Sequence, residues 1–181
     1  MRTYTLPLIA GLVLGGLVHI VTTLTMPRVA SEDAFARLAR LGRPNVVQLI
    51  PESTPTQAVL PRMDPAFLSA VCVYDLSMAA LRVRVPTTPD YTSISFYTRY
   101  GLAYYALNDH AAGARTIELD LMTAAQRAAL PEDEEITAAD RLIVESPTSE
   151  GMVMIRVLVR ERGLRDEVRA RLAEASCSPT S

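Results

Sequence analysis

The sequence contains no lysine and no tryptophan, and only two of its 181 residues are cysteines. All 18 basic residues are arginines, and 20 acidic residues bring the net charge to −2. Without a basic excess, the chain lacks the electrostatic signature of a nucleic-acid-binding protein. Two cysteines are too few for a disulfide-dense small fold or an all-cysteine metal cluster. A hydrophobic content of 49% excludes a chain that is disordered throughout.

Charge is absent from one long segment, Thr3–Met26, whose 24 residues include no Asp, Glu, Lys or Arg. As a helix rising ~1.5 Å per residue it spans ~36 Å, which exceeds a hydrocarbon core of ~30 Å. The alternative is a cleaved signal peptide. However, the apolar run exceeds the usual ~7–15 residues, and no pair of small residues marks a cleavage site before Ala30. We therefore predict that residues 1–30 form an uncleaved transmembrane anchor.

The sequence indicates the orientation of this anchor less clearly than its position. Arg2 precedes the span, whereas Arg28, Arg37 and Arg40 follow it, so a count of basic residues slightly favours a cytoplasmic C-terminal part. Long domains cross the membrane largely regardless of flanking charge. We therefore expect the N-terminus in the cytoplasm and the folded part outside it, with cytoplasmic display as the alternative.

Small residues follow one face of the predicted span. Gly11, Gly15 and His19 are spaced four residues apart, which places them on one side of a helix. Glycines at this spacing allow another helix to approach closely, and a histidine inside a membrane needs a polar partner. The pattern predicts a helix–helix contact, although small residues are also common in spans without one.

The remainder of the chain alternates apolar and polar residues with a period of two. Leu81, Val83 and Val85 alternate with Arg82 and Arg84, a pattern typical of half-buried strands. Strands are predicted at 45–50, 70–76, 80–86, 91–99, 102–108, 115–121, 141–146 and 151–160. Their short spacing favours a mainly β fold, an antiparallel sandwich or jelly-roll-like domain, over alternating β–α units.

Two or three short helices accompany these strands. One is predicted from Ser31 to Leu41, a second follows the capping-box sequence Thr123–Gln126, and a third spans about 164–175. The predicted organisation is a helix and proline-rich connector at 31–66, a β-domain with a terminal helix at 67–176, and a loose tail at 177–181.

The two cysteines lie far apart in the sequence. Cys72 falls in a predicted strand and Cys177 follows the last helix. A bond between them closes a loop of 106 residues and requires an oxidising compartment, which agrees with a folded part outside the cytoplasm. The alternative is two unrelated thiols, one in the core and one at the surface.

Residues with catalytic or metal-binding chemistry are sparse. Outside the span, His110 is the single histidine, no phosphate-binding or hydrolase motif occurs, and we expect no metal site and no cofactor. The acidic run Glu132–Glu135 is better explained as a solvated surface than as a calcium loop. Glu118 and Asp120 share one strand face and are expected at an exposed edge facing arginines, rather than as a catalytic pair.

The best candidate for recognition is a polar and aromatic strand. Tyr91, Ser93, Ser95, Tyr97 and Arg99 alternate, so they share one face of the predicted strand 91–99. Tyrosines provide rigid contact area with a hydrogen-bonding tip, and arginine binds carboxylate or phosphate in a fork. This face is a candidate for a partner or ligand, and its alternative is an ordinary solvent-exposed face.

Five segments carry a family resemblance: Cys72–Leu76, Leu81–Pro86, Tyr91–Thr98, Glu118–Thr123 and Ala139–Pro147. Together they resemble a family of predicted integral membrane proteins of Gram-negative bacteria that is classed as a domain of unknown function. The resemblance covers nearly the whole chain, including the N-terminal span. Together with the orientation expected above, it implies an anchor in the bacterial inner membrane and a periplasmic domain. Longer relatives join a similar β-domain to a second β-rich domain. A separate envelope protein carrying that second domain is therefore an expected partner.

Two functions from different classes are consistent with these patterns. The favoured one is a single-span envelope protein whose β-domain binds a partner protein without catalysis. The alternative is a hydrolase of envelope glycan or lipid that uses carboxylates or tyrosines of the strands between 91 and 121. The missing nucleophile and metal ligands favour the first.

Overall fold

The computed structural model describes residues 4–29, 33–54, 58–112, 115–130 and 142–180. The chain divides into two compact units, Met1–Asp33 and Ala34–Ser181. Each unit has its own architecture, one a single helix and the other a β-rich domain.

The first unit contains helix α1, Thr5–Val29. Its segment Thr5–Met26 is long and apolar enough to cross a membrane, and none of the most apolar window is buried. The hydroxyl of Thr23 donates to the carbonyl oxygen of His19 at 2.8 Å, so this polar side chain is satisfied within the helix. By length and composition, this helix is therefore a candidate membrane span.

The second unit is built mainly from strands, as the alternating pattern predicts. The strands in the described residues are β1 Val47–Leu49, β2 Phe67–Asp75, β3 Leu81–Pro86, β4 Thr92–Thr98, β5 Ala103–Asn108, β6 Thr116–Thr123, β7 Leu142–Ser146, β8 Glu150–Leu158 and β9 Ser176–Pro179. The helices are α2 Ala34–Ala39, α3 Asp109–Ala112, α4 Ala124–Ala128 and α5 Arg165–Ala173, with a 3-10 turn at Arg162–Leu164.

These strands form two sheets. The five-stranded sheet has the order β1-β2-β8-β4-β5 and is antiparallel throughout. The four-stranded sheet has the order β7-β6-β3-β9, and its β6–β7 pair is parallel. The predicted mainly β, antiparallel fold is confirmed, and β6–β7 is its one parallel pair among the described residues. A parallel pair needs a crossover rather than a hairpin, and the chain between β6 and β7 contains α4.

The main core lies between the sheets and follows the period-two pattern. Leu81, Val83 and Val85 are fully buried, whereas the side chains of Arg82 and Arg84 point to the opposite face. The inward side chains of β4 and β8 complete this core, for example Phe96 and Ile155. Burial of these apolar side chains is the main stabilising contribution.

A second, smaller apolar cluster covers the outer face of the five-stranded sheet. Leu38 of α2 packs there with Ile50, Val71 and Met152. The segment 59–63 contributes partly buried apolar side chains to the same cluster. The helix predicted from Ser31 to Leu41 is therefore a strut on the domain, while its expected cap, Ser31, lies outside the described residues.

The C-terminus departs from the sequence prediction. Residues 177–181 are expected to form a loose tail, but Ser176–Pro179 form β9, which pairs with β3. Cys177 in this strand forms a disulfide with Cys72 in β2. The bond joins the two sheets, since β2 and β9 belong to different ones. The strand exists because β3 and the disulfide hold it.

Candidate functional site

The residues predicted to form a recognition face lie on or beside β4. Ser93, Ser95 and Tyr97 alternate along the outer face of the five-stranded sheet, with Tyr91 before the strand and Arg99 after it. Tyr91 and Arg99 are exposed and Tyr97 is half-buried.

The two serines are not accessible. Ser93 and Ser95 are buried, and they lie opposite Arg156 and Met154 of β8. Short hydroxyl side chains between longer cross-strand neighbours stay below the surface. The expected continuous face from Tyr91 to Arg99 is therefore interrupted in the structure at its centre.

Arg99 at the end of this face is already engaged. Its guanidinium lies 5.0 Å from the ring centroid of Phe35 in α2, and Nη1 is 3.3 Å from Oε2 of Glu150. Stacking and pairing fix the arginine beside α2. It contributes to the packing of the strut as well as to the surface.

The outer face contains a cleft that the sequence pattern did not reveal. Its volume is ≈ 310 Å³, and it lies between the segment 60–64 and strands β2, β4 and β8. Ser69, Tyr97 and Arg156 line it. Ser69 could have been noted as a polar residue within an apolar strand, but its position beside Arg156 depends on the pairing of β2 with β8.

A buried hydroxyl cluster lies at the end of the sandwich. The Tyr74 hydroxyl is 3.0 Å from that of Tyr104 and 2.9 Å from Oγ of Ser146. Burial raises the pKa of Tyr104 well above its usual range, because the charged phenolate is poorly solvated there. Hydrogen bonds among these three hydroxyls join β2, β5 and β7.

The carboxylates considered for catalysis form cross-strand ion pairs. Asp120 Oδ1 is 2.9 Å from Nε of Arg82, and Glu118 Oε1 is 2.8 Å from Nε of Arg84. Hydrogen bonding to Asp120 raises the pKa of Arg82. Glu118 and Asp120 face arginines, as predicted. The strand that carries them, β6, is not an edge strand, because it lies between β7 and β3. Both carboxylates are paired with arginines across β3 and β6.

Metal-binding groups do not converge in the part of the chain that the structure describes. No group of three or more His, Cys, Asp or Glu side chains lies close enough there to hold an ion. His110 is exposed in α3 rather than in a turn. The acidic run 132–135 lies outside the described residues.

The β5 strand is the most unusual surface element. It ends the five-stranded sheet and consists of six residues without charge or proline, Ala103–Asn108. Tyr100 and Leu102 in the preceding turn are 55% and 68% exposed, and Tyr105 on the strand is 37% exposed. Edge strands are usually short or protected by charge, proline or a bulge. The register of β5 shifts once, opposite Phe96 and Tyr97 of β4, and in the ranges that the structure describes no strand pairs with its outer side.

Comparison with known proteins gives a family and a fold. Residues 44–179 match the family described as Protein of unknown function (DUF1254). The VPA0106 protein from Vibrio parahaemolyticus has a similar structure, with a TM-score of 0.61 and 11% identity over 83% of this chain and 35% of that chain. An uncharacterised protein from Burkholderia cenocepacia gives a TM-score of 0.49 and 16% identity over 81% and 40% of the two chains. Among curated proteins, none matches.

Proposed function

We propose that this chain, which belongs to the DUF1254 family, is a single-span envelope protein that presents a partner-binding β-domain in the periplasm. Helix α1 anchors it in the inner membrane with the N-terminus in the cytoplasm. Residues 31–66 connect the anchor to the β-domain, and Leu38 together with the segment 59–63 packs on the five-stranded sheet. The domain binds a β-rich envelope protein along β5.

The disulfide supports the periplasmic location. Cys72 and Cys177 are both buried and bonded, and such bonds persist in oxidising compartments. The unburied apolar helix α1 supports the anchor. Together they favour a membrane-tethered domain outside the cytoplasm over a cytoplasmic one.

The edge of β5 carries the proposal. In the described part of the chain no strand pairs with its outer side, so outward backbone N–H and C=O groups between Ala103 and Leu107 can pair with an added strand. The other sheet edges in the described residues are less suitable: β1 has three residues, β9 contains Pro179, and β7 carries Glu145. The exposed Tyr100, Leu102 and Tyr105 supply apolar and aromatic contact area beside the edge.

The structural neighbour is longer than the present chain, which spans 35% of the VPA0106 chain. A partner carrying a second β-rich domain, as in longer relatives, fits an edge that extends a sheet. We take this occupant as the proposal and a second copy of the same chain as its rival.

Photo-crosslinking in intact cells tests the surface. A photoreactive phenylalanine analogue replaces Leu102 or Tyr105 in the full chain, and Gln48 in β1 or Ser178 in β9 as matched edge controls. We expect one discrete adduct from the β5 positions alone, with a β-rich envelope protein identified by mass spectrometry. Ala106→Lys should abolish it, because a charge on the edge opposes strand addition, whereas Ala173→Lys on α5 should not.

Three results would contradict this proposal. Equal adducts from β1, β9 and β5 would remove the specificity of the edge. An adduct of twice the chain mass would identify a second copy as the occupant. No adduct from either β5 position would leave the edge unoccupied in the cell.

We extend the proposal to the face of α1 that contains Gly11, Gly15 and His19. Nothing lies within 4 Å of a β-carbon at either glycine, so another helix can approach there. Replacing both glycines by leucine should weaken the complex recovered in mild detergent. Gly16→Leu is the matched control, since Gly16 lies one residue further round the same helix. Unchanged recovery of the double variant would remove the helix contact.

A further inference from the structure

The cleft on the outer face of the five-stranded sheet has an unusual floor. Ser69 lies within β2, is 5% exposed and lines the cleft. Its Oγ is the one buried side-chain oxygen or nitrogen among the described residues that has no hydrogen-bond partner. A buried hydroxyl without a partner is costly, and native structures rarely keep one without a reason. This hydroxyl is available to a molecule that enters the cleft.

A positive charge lies directly beside that hydroxyl. Arg156 of β8 is the cross-strand neighbour of Ser69 on one side and of Ser93 on the other. Directly opposed residues have β-carbons ~4.5–5.5 Å apart, so Arg156 and Ser69 can reach one ligand atom group together. Arg156 is exposed, and across the described ranges no carboxylate pairs with its side chain.

A second arginine completes the rim. Arg62 has a φ of 60°, a left-handed conformation that is uncommon for residues other than glycine. Among the described residues, Asn45 is the other non-glycine residue with positive φ. Its side chain forms two hydrogen bonds with the backbone of Asp75, which stabilise that conformation. The one acid on the cleft, Asp64, accepts the backbone N–H of Ala66 at 2.9 Å and is thereby directed into its own turn. Two arginines against one acid leave the cleft positive.

The rest of the cleft is apolar. Phe67, Tyr97 and Met154 line it beside the charged groups. A volume of ≈ 310 Å³ is at the lower end of the range for small-molecule sites, ~300–1,000 Å³. The cleft therefore joins an anion-binding end to an apolar wall in a space that suits a small amphiphile.

We propose that this cleft binds an amphiphilic anion, a phosphate monoester or carboxylate that carries a short apolar group. Arg156 and Arg62 bind the anionic oxygens, and the Ser69 hydroxyl donates to one of them. The apolar group packs against Phe67, Tyr97 and Met154. The site is separate from the β5 edge, so ligand binding here stands independently of partner binding there.

Methionine methyl NMR on the full chain in non-ionic detergent tests the proposal. The probe is hexyl phosphate in a phosphate-free buffer, with hexanoate, inorganic phosphate and 1-hexanol as separate arms. The methyl groups of Met154 and Met63 line the cleft, whereas Met78 is a remote reporter in the β2–β3 turn. We expect saturable shifts at Met154 and Met63 with hexyl phosphate or hexanoate, and Met78 unchanged.

The separate titrations distinguish the contribution of the anionic group from that of the apolar group. Inorganic phosphate and 1-hexanol should each bind about tenfold or more weakly than hexyl phosphate, because each lacks one half of the interaction. A stronger response to hexyl phosphate than to hexanoate assigns a phosphate ligand, and the reverse assigns a carboxylate. Equal shifts at Met78 and Met154 would show partition into the micelle only and would overturn the site.

Two variants locate the binding groups. Arg156→Gln should lower affinity about tenfold, as expected for loss of a charge-assisted hydrogen bond, while Arg84→Gln on the other sheet should not. Ser69→Ala should lower affinity and yet raise the melting temperature of the free protein, because it removes an unsatisfied buried hydroxyl. Wild-type affinity in both cleft variants would overturn the proposal.

Discussion

The hydroxyl of Tyr74 occupies the space in front of Gly151, where any β-carbon would collide with it. The two residues lie opposite each other in the β2–β8 pair. The same hypothetical β-carbon would also meet the carbonyl oxygen of Tyr97 in the neighbouring strand. Gly151 is therefore what allows a fully buried tyrosine to reach Ser146 and Tyr104 across the end of the sandwich.

The first prediction tests this close approach. Gly151→Ala should destabilise the protein by about 1–3 kcal/mol, since the backbone of Tyr97 cannot move away without disturbing β4. The measurement is urea unfolding of the full chain in detergent, followed by near-ultraviolet circular dichroism of the tyrosines. Gly163→Ala is the control, because a β-carbon added there would meet nothing within 4 Å and the stability should hardly change. Equal stabilities for both variants would contradict the steric explanation.

The strands show how much of this fold local pattern determines. The alternation of Leu81, Val83 and Val85 with arginines predicted β3, because one face of the sheet is buried and the other faces solvent. The capping box at Thr123 and Gln126 predicted α4, and the Thr123 hydroxyl does accept the backbone N–H of Gln126. Both signals are local, so the residues of each element are sufficient to predict that element.

Features that depend on distant pairing were not predictable in the same way. Strand β9 contains one apolar residue, Cys177, and ends at Pro179, so its composition is that of a tail. It is a strand because β3 supplies its hydrogen-bond partners. The same limit applies to the cleft, since neither Ser69 nor Arg156 is unusual until β2 and β8 place them side by side.

The second prediction concerns the disulfide. Cys72 and Cys177 are 105 residues apart in sequence and belong to different sheets. In the chain-entropy model, a closed loop of about this length stabilises a protein by ~4–5 kcal/mol. Replacing both cysteines by alanine should lower the free energy of unfolding by about that amount, measured by urea unfolding, and a reductant should have no further effect on the variant.

Thiol labelling checks the compartment behind this bond. In denatured protein taken from cells, Cys72 and Cys177 should react with maleimide only after reduction. Because periplasmic oxidation is needed to form the bond, deletion of the anchor segment should leave both thiols free in the cytosol. Labelling of the intact chain without reductant would contradict both the bond in cells and the periplasmic location.

The third prediction compares two ion pairs on one pair of strands. Arg82–Asp120 and Arg84–Glu118 have the same cross-strand geometry, but the side chain of Asp120 is 7% exposed and that of Glu118 is 39% exposed. Arg82→Gln should cost about 1–3 kcal/mol, because it removes a charged partner from a buried carboxylate. Arg84→Gln should cost less than about 1 kcal/mol, as is usual for exposed pairs. Equal costs would show that burial of the acid is not the deciding factor.

The last prediction concerns acid stability. Glu52 joins the segment after β1 to α5 through Arg165, whose Nε lies 2.9 Å from Oε1, and through Arg169. The hydrogen bond from Arg165 is the main cause that holds the pKa of Glu52 below its ordinary value of 4.5. A carboxyl with a depressed folded-state pKa contributes stability above its unfolded pKa, and this contribution disappears as the pH falls through the folded value.

The stability difference between the native chain and Glu52→Gln should therefore be constant near neutral pH and shrink below about pH 4.5. Its size at neutral pH should be about 1 kcal/mol or less, because the carboxylate is partly exposed and solvent screens the pair. Asp75, whose pKa is lowered by the backbone N–H of Ser77, titrates in both proteins and cancels in the difference. Arg165→Gln should reproduce the pH dependence of Glu52→Gln, whereas Arg171→Gln on the same helix should not. A difference that stays constant down to strongly acidic pH would show that the link between Glu52 and α5 is not electrostatic.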